Sequence, residues 1–275
     1  MNIKLVALDL DHTLFDENKK LPKETATLLQ KAIDRGVFMT PATGRMFRSA
    51  RKIMRQLTGT AEGYDVHFPM ICYNGALVQY ADEASPRYVR YVPEDVERDM
   101  AKFCRERGLY LQMYDHDCMV AERRSAIRMS DPIRKDVPLI EWGDYLKAEI
   151  PHTPKMLIAD EPEVITTLIP EIEERFGERL HITRSDAIYL EMMAPGVNKG
   201  SALAWLAEHL GLSKNEVMAC GDNDNDLEML RWAGISVAVA NAVPAVQREA
   251  VYVAAEERSK GVCEAVNKFI FNTED

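Results

Sequence analysis

The sequence predicts an α/β protein whose parallel-sheet core is interrupted by a large inserted α+β unit. Three observations point there. Apolar runs that end in acidic residues occur early and late in the chain, as expected of strands buried on both faces of a parallel sheet. Those runs alternate with amphipathic helical segments, a rhythm that implies right-handed strand-helix-strand crossovers. The rhythm breaks after Tyr80, where short alternating strands mix with helices until about Ile188. The expected organisation is a discontinuous core, residues 1–83 and 190–275, around an insert, residues 84–189.

Lys4-Leu5-Val6-Ala7-Leu8 is the first strand, running into Asp9 and Asp11. A helix follows from Pro22 to Arg35: proline suits a first turn, Leu28, Leu29, Ala32 and Ile33 share one face, and Gly36 ends it. Val37-Phe38-Met39 is the second strand, followed by Thr43-Gly44-Arg45 and a basic amphipathic helix to about Leu57. Met70-Ile71-Cys72-Tyr73 is a third strand, and Asn74-Gly75 before Ala76-Leu77-Val78 signals a hairpin. Ala81 to Pro86 reads as a linker. In the insert, strands are expected at Tyr88–Val92, Leu109–Tyr114 and Lys155–Ala159, with helices at Asp95–Arg107 and Glu163–Phe176. From Asn198 the first rhythm returns: a helix to Leu210, a strand Val217–Cys220 ending in acids, a helix from Asp224, a strand Ile235–Val239 and a last helix to Phe271.

Composition narrows the function. With 34 basic against 44 acidic residues, the 275-residue chain has a formal charge of −10, which disfavours nucleic acid and anionic membranes as partners. No apolar stretch approaches the roughly 20 residues of a membrane span. The opening residues are too brief an apolar run for a signal peptide, so a cytoplasmic protein is expected. Five scattered cysteines without a Cys-x-x-Cys pair argue against a disulfide framework or a structural zinc, and read as reduced core thiols.

In open α/β sheets ligands bind beyond the carboxyl ends of the strands. Asp-x-Asp alone is a weak signal, because it occurs four times here; Asp115-His116-Asp117 falls in an expected hairpin turn, which Asp favours. Asp9 and Asp11 instead end a buried strand, where an acid without a charge partner costs several kcal/mol. Asp222 repeats that placement after a second apolar strand. Two carboxylates converging from neighbouring strand ends, with a backbone carbonyl, make a hard oxygen cage for Mg²⁺ shared with a substrate phosphate. Asp226, near a helix start, is assigned to orienting that site rather than to holding the ion. Thr43-Gly44 offers a hydroxyl and backbone amides to an anion. Lys199 stands in the first turn of a helix capped by Asn198, with Ala202, Leu203, Leu206 and Leu210 on its apolar face. The macrodipole disfavours a cation there, so an anionic partner is expected. Together these groups specify phosphoryl chemistry. Asp9 attacks phosphorus and forms an aspartyl-phosphate. Asp11 stays protonated to serve the leaving group and then takes a proton from water. Mg²⁺, Lys199, Thr43 and Gly44 balance the charge of the phosphoryl oxygens.

In this order, Asp9-Leu10-Asp11-x-Thr13-Leu14, Ala42-Thr43-Gly44-Arg45, Val197-Asn198-Lys199-Gly200 and Gly221-Asp222-x-x-Asn225-Asp226 resemble the four motifs of the haloacid dehalogenase (HAD) superfamily of phosphohydrolases. The resemblance is to its Cof-type (subfamily IIB) branch of sugar phosphatases and spans essentially the whole chain. Tyr73-Asn74-Gly75-Ala76 and Asn241-Ala242-Val243-Pro244 are also similar to stretches common in that branch. The resemblance implies a Rossmann-like, HAD-like core with a large cap domain inserted between the second and third motifs. It implies Mg²⁺ held by the Asp9 and Asp222 carboxylates and the Asp11 backbone carbonyl, with Asn225 and Asp226 orienting the site. Thr43, Gly44 and Lys199 would bind phosphate, and Arg45 and Asn198 stand as candidates to touch substrate. The expected activity is Mg-dependent hydrolysis of small phosphorylated metabolites, sugar phosphates above all. His12 departs from the family, which usually has glycine there; if the position needs φ > 0, histidine costs about 1 kcal/mol, or it supports the acid/base residue.

Two other functions fit parts of the pattern. A phosphomutase would pass the phosphoryl group from Asp9 to a sugar phosphate instead of water. A receiver-like signalling module also uses an Asp cluster, Mg²⁺ and a lysine, but receivers are small single domains without an insert. In the cap, Arg123, Arg124 and Arg128, followed by Arg134 and Lys135, form a basic cluster. It is either a solvated face or a clamp for a second anionic group of the substrate.

Overall fold

The computed structural model describes residues 2–18, 20–59, 67–115, 117–123, 138–147 and 149–272. The chain divides into two units, Met1–Tyr88 with Asn198–Asp275, and Val89–Val197. Both junctions lie later than the expected 83/84 and 189/190. Arg87 still donates its amide to Val78, which ties the outgoing chain to the first unit, and the last strand of the second unit runs on to Met193.

In chain order the strands are β1 (Leu5–Leu8), β2 (Phe38–Pro41), β3 (Pro69–Cys72), β4 (Leu77–Tyr80), β5 (Tyr88–Val89), β6 (Leu111–Asp115) and β7 (Cys118–Ala121). They continue with β8 (Leu139–Glu141), β9 (Met156–Ala159), β10 (His181–Asp186), β11 (Tyr189–Met193), β12 (Val217–Gly221), β13 (Ile235–Ala238) and β14 (Tyr252–Val253).

The sheet of the first unit has the order β14-β13-β12-β1-β2, parallel throughout. β1 sits between two neighbours and is buried along its length, which is why it reads as an uninterrupted apolar run. Leu8 is in register with Cys220, and the Asp9 amide still donates to the Cys220 carbonyl at 3.0 Å. Asp9 and Asp222 therefore leave adjacent strand ends side by side.

The third strand does not simply extend this sheet. β3, β4 and β5 form a separate three-stranded sheet, joined to β2 by a parallel bridge between Ala42 and Ile71. The odd positions of β2 face β3, as the Thr43 amide shows by donating to the Ile71 carbonyl at 3.0 Å. Pro41 occupies one of those positions and has no N–H to give. The Thr40 hydroxyl donates to the Pro69 carbonyl at 2.9 Å in its place. β3 and β4 are antiparallel, with Cys72 opposite Leu77 across the Asn74-Gly75 turn, as expected of the hairpin.

The helix Lys23–Asp34 starts one residue after Pro22 and buries Thr25, Leu29 and Ala32. The helix Phe47–Thr58 ends on Gly59 at φ 67°. The helix Lys199–His209 is capped by Asn198, whose side chain accepts from the Ser201 amide at 2.8 Å while the Asn198 amide donates to the Ser201 hydroxyl at 3.1 Å. The helix expected from Asp224 begins as a 3₁₀ turn, Asp224–Asp226, and becomes α-helical at Leu227–Trp232. The last helical stretch is Arg258–Val266 followed by a π turn, Asn267–Phe271.

In the second unit a six-stranded sheet has the order β10-β11-β9-β6-β7-β8. The helices Glu94–Glu106 and Pro162–Phe176 bury Met100, Phe103, Ile165 and Ile172 against Met113, Met156 and Leu190 of the sheet. The expected strand Tyr88–Val92 shortens to β5, because the Val92 amide turns to the Thr153 carbonyl and Pro93 opens a helix. β10 and β11 escaped the sequence reading. β10 is half-buried and largely polar, and the apolar run of β11 is broken by Glu191, which is buried because it pairs with Lys155. Asp115 and Cys118 close the β6-β7 hairpin where a turn was expected; His116 lies outside the described residues. Among the described residues no helix is long and apolar enough to cross a membrane.

Candidate active site

The ends of β1 and β12, the loop after β2 and the start of the helix Lys199–His209 bring four sequence segments together. Lys199 is fully buried, and its Nζ donates to Asp9 Oδ1 and to Asp226 Oδ1, each at 2.6 Å. This is the anionic partner that its first-turn position called for. Asp226 is also fully buried, and its Oδ2 accepts from the amides of Asp222 (2.9 Å) and Asn223 (3.1 Å). Gly221 makes that geometry accessible: a Cβ there would meet the Asp226 carboxyl carbon at 2.6 Å. Asp222 Oδ1 accepts from the Thr13 hydroxyl at 2.6 Å.

Oxygens of Asp9, Asp222 and Asp226 all lie within 4.8 Å of one another. Burial pushes the Asp9 carboxyl well above its ordinary value; Lys199 pulls it back, while Asp226, Asp222 and Asp11 push it up. Burial, with Asp226 beside it, raises Asp222 to about 7 against the opposing Thr13 hydroxyl and Lys199. Burial alone would lower Lys199, but Asp226 and Asp9 outweigh it and hold the ammonium above its usual range. Three buried carboxylates thus share one lysine. A divalent cation fits this donor set on two counts, since every donor is a hard oxygen and the cluster is short of positive charge. Asp226 already has both oxygens engaged, so Asp9 and Asp222 are the carboxylates better placed to hold an ion.

Asp11 is reached differently. Its side chain is about a third exposed, and Arg45 clamps it through Nε to Oδ2 (2.7 Å) and Nη2 to Oδ1 (2.5 Å). The guanidinium also stands over the Phe15 ring, 5.3 Å from its centroid. Arg45, expected as a candidate for substrate contact, is thus placed on the Asp11 carboxylate. Asn198 is engaged in capping its helix. Thr43 is buried and its hydroxyl oxygen accepts the Arg45 amide at 3.2 Å; Gly44 lies between them in the loop. Asn225 Nδ2 donates to Asn74 Oδ1 at 3.2 Å.

His12 does adopt a left-handed backbone, φ 67°, with an exposed ring. Its carbonyl accepts from Asn241 Nδ2 at 2.9 Å, and Asn241 Oδ1 accepts the Arg258 amide at 2.8 Å. Sequence reasoning missed three participants: Thr13, Asn74 and Asn241. Each stands inside a quoted motif or stretch, but only its contact partner reveals its role. In the second unit, Arg123 is exposed and donates to the Gly108 carbonyl at 3.3 Å, while Arg124, Arg128, Arg134 and Lys135 lie outside the described residues.

Residues 6–266 match the family model of haloacid dehalogenase-like hydrolases. A Streptococcus pyogenes serotype M6 chain described as a candidate phosphatase is 28% identical over 99% of this chain and 100% of its own length. A phosphoglycolate phosphatase from Methanothermobacter thermautotrophicus is 28% identical over 98% of this chain and 99% of its own. A solved haloacid dehalogenase-like hydrolase from Bacteroides thetaiotaomicron superposes with a TM-score of 0.84 at 25% identity, over 98% of this chain and 100% of that one. With the motif ends of β1 and β12 and the buried lysine in place, the chain belongs to the haloacid dehalogenase-like hydrolases and is by class a phosphoric monoester hydrolase.

Proposed function

We propose that this phosphatase of phosphorylated small molecules acts on sugar phosphates, uses Mg²⁺ and proceeds through an aspartyl-phosphate on Asp9. The observation that carries the reading is the buried Lys199 bridging Asp9 and Asp226 at 2.6 Å each, next to Asp222. Asp9 and Asp222, with the Asp11 carbonyl, would hold Mg²⁺, which supplies charge neutralisation to the phosphoryl oxygens.

This chain's own groups do the rest. Asp9 attacks phosphorus in line as the bond to the leaving oxygen breaks. Lys199 and the Thr43 hydroxyl hold phosphoryl oxygens as charge gathers on them. Asp11 gives a proton to the departing alkoxide, then takes one from the water that attacks phosphorus and returns Asp9 to its free carboxylate. Both Asp11 oxygens accept from Arg45 at rest, so proton donation requires one of them to come off the guanidinium. Asp226 keeps Lys199 aimed, and its two backbone contacts fix the loop that carries Asp222.

Hydrolysis of an ester made chiral at phosphorus with sulfur and oxygen isotopes tests this route, because two in-line displacements retain configuration and a single one inverts it. Retention is expected, Asp9→Asn should abolish phosphate release without unfolding, and Asp11→Asn should slow it by about 100-fold. Inversion at phosphorus refutes the covalent step, and dependence of phosphate transfer on a sugar phosphate acceptor would make the chain a mutase.

A further inference from the structure

Between β3 and β4 the backbone does something that a hairpin does not need. Tyr73, Asn74 and Gly75 have φ of 52°, 54° and 99°, three consecutive residues in the left-handed region, and all are buried. A two-residue turn would join these strands with less strain, and a left-handed tyrosine is especially unfavourable. Strain of this kind persists only where the surroundings hold it.

The surroundings are three separate parts of the candidate site. The Tyr73 amide donates to the Arg45 carbonyl and the Asn74 amide to the Thr43 carbonyl, each at 3.0 Å, which fixes the loop carrying the phosphate-site hydroxyl. Asn74 Oδ1 accepts from Asn225 Nδ2 at 3.2 Å, one residue before Asp226. Gly75 lies directly against the cap of the lysine helix: a Cβ there would stand 2.1 Å from the Asn198 carbonyl oxygen and 3.1 Å from the Lys199 amide nitrogen.

We propose that the Tyr73-Asn74-Gly75 turn is a positioning element of the active site, in which Gly75 sets the depth of the helix that carries Lys199 and Asn74 sets the loop that carries Asp226. Lys199 has to meet Asp9 and Asp226 at once, so the start of its helix has to be fixed along the helix axis. The turn supplies the stop. Asn74 and Gly75 act through Asn225, Thr43 and the start of the helix that carries Lys199. The proposal rests on the phosphatase reading for its kinetic consequence, and on geometry alone for its structural one.

The test uses the full-length protein carrying Gly75→Ala or Asn74→Gly. A methyl at position 75 must drive the Asn198 carbonyl back by about 1 Å, a misplacement of the size that costs a factor on the order of 100 in rate. Gly75→Ala should therefore lower kcat on p-nitrophenyl phosphate about 100-fold with KM nearly unchanged. Its crystal structure should show Lys199 Nζ withdrawn from Asp9 Oδ1. Asn74→Gly relieves left-handed strain while deleting the acceptor for Asn225, so Tm should hold or rise while kcat falls by about 10-fold. A merely structural turn would make kcat follow Tm in both variants. Unchanged kcat, or a Lys199-Asp9 distance equal to that of the parent in both crystal structures, overturns the proposal. If the parent hydrolyses no phosphate ester, the phosphatase reading fails, and the two crystal structures still decide whether the turn positions Lys199.

Discussion

Thr13→Val probes the charge arrangement from outside the set of carboxylates. Thr13 is fully buried and its hydroxyl donates to Asp222 Oδ1 at 2.6 Å, so valine keeps the branched shape and removes one hydrogen bond to an acid. A hydrogen bond to a charged group contributes about 1.5–3 kcal/mol, and the loss of a group that orients a metal ligand weakens binding by about 10- to 100-fold. The two figures agree, since 1.4 kcal/mol is about tenfold. The sign with pH follows from Asp222. Its carboxyl is already raised to about 7, and the Thr13 hydroxyl is one of the influences holding it down. Without the hydroxyl the proton binds Asp222 more tightly and competes with Mg²⁺ at neutral pH. The Mg²⁺ concentration for half-maximal activity should rise by about 10- to 100-fold at pH 7, and the gap from the parent should narrow at pH 9. Calorimetric titration with Mg²⁺ alone should give the same ratio. A ratio near one at pH 7, by either measurement, would refute both the assignment of Asp222 as a metal ligand and the role given to Thr13.

Two further outcomes concern stability. Glu97 in the second unit is buried, accepts the Thr153 amide at 2.9 Å through Oε1, and has no partner for Oε2 among the described residues. Burial, opposed by that amide, raises its carboxyl to about 7, so the stability it contributes is complete below about 4.5 and is lost as pH rises through 7. Glu97→Gln should thus raise Tm at pH 8 and leave it unchanged near pH 4.5 in thermal melts; equal Tm values at pH 8 would contradict the sign. His12→Gly should stabilise the protein by about 1 kcal/mol, because φ 67° suits glycine and the Asn241 contact is made by the backbone carbonyl. If chemical denaturation shows His12→Gly to be destabilised, the exposed ring has a role beyond tolerance.

Burial decided which parts of the fold were readable in the sequence. β1 and β12 are covered on both faces and appear as plain apolar runs, and the helix Lys199–His209 shows its apolar face through Ala202, Leu203 and Leu206. β11 is equally buried yet was missed, because a buried ion pair puts Glu191 in the middle of its run. Where β3 meets β2, the Thr40 hydroxyl donates to the Pro69 carbonyl beside a proline that has no N–H, a substitution of donors that no hydrophobic period records.

The same division runs through the site. Asp9, Asp222 and Lys199 were recognisable because a charge at a buried strand end, or a cation in a first helical turn, is unfavourable alone and so demands a partner. Thr13, Asn74 and Gly75 make no such demand. Threonine is at home in a loop, and Asn-Gly is the ordinary signal of a turn whether the turn faces water or another element. What sets Gly75 apart is that a Cβ there would stand 2.1 Å from a carbonyl oxygen far away in the chain, and what sets Asn74 apart is a left-handed backbone held between Thr43 and Asn225. Groups that carry charge declare themselves locally through the cost of burying it. Groups that only hold those charges in place are visible solely through what they touch, which is why the lysine could be read from its neighbours in sequence and its stop could not.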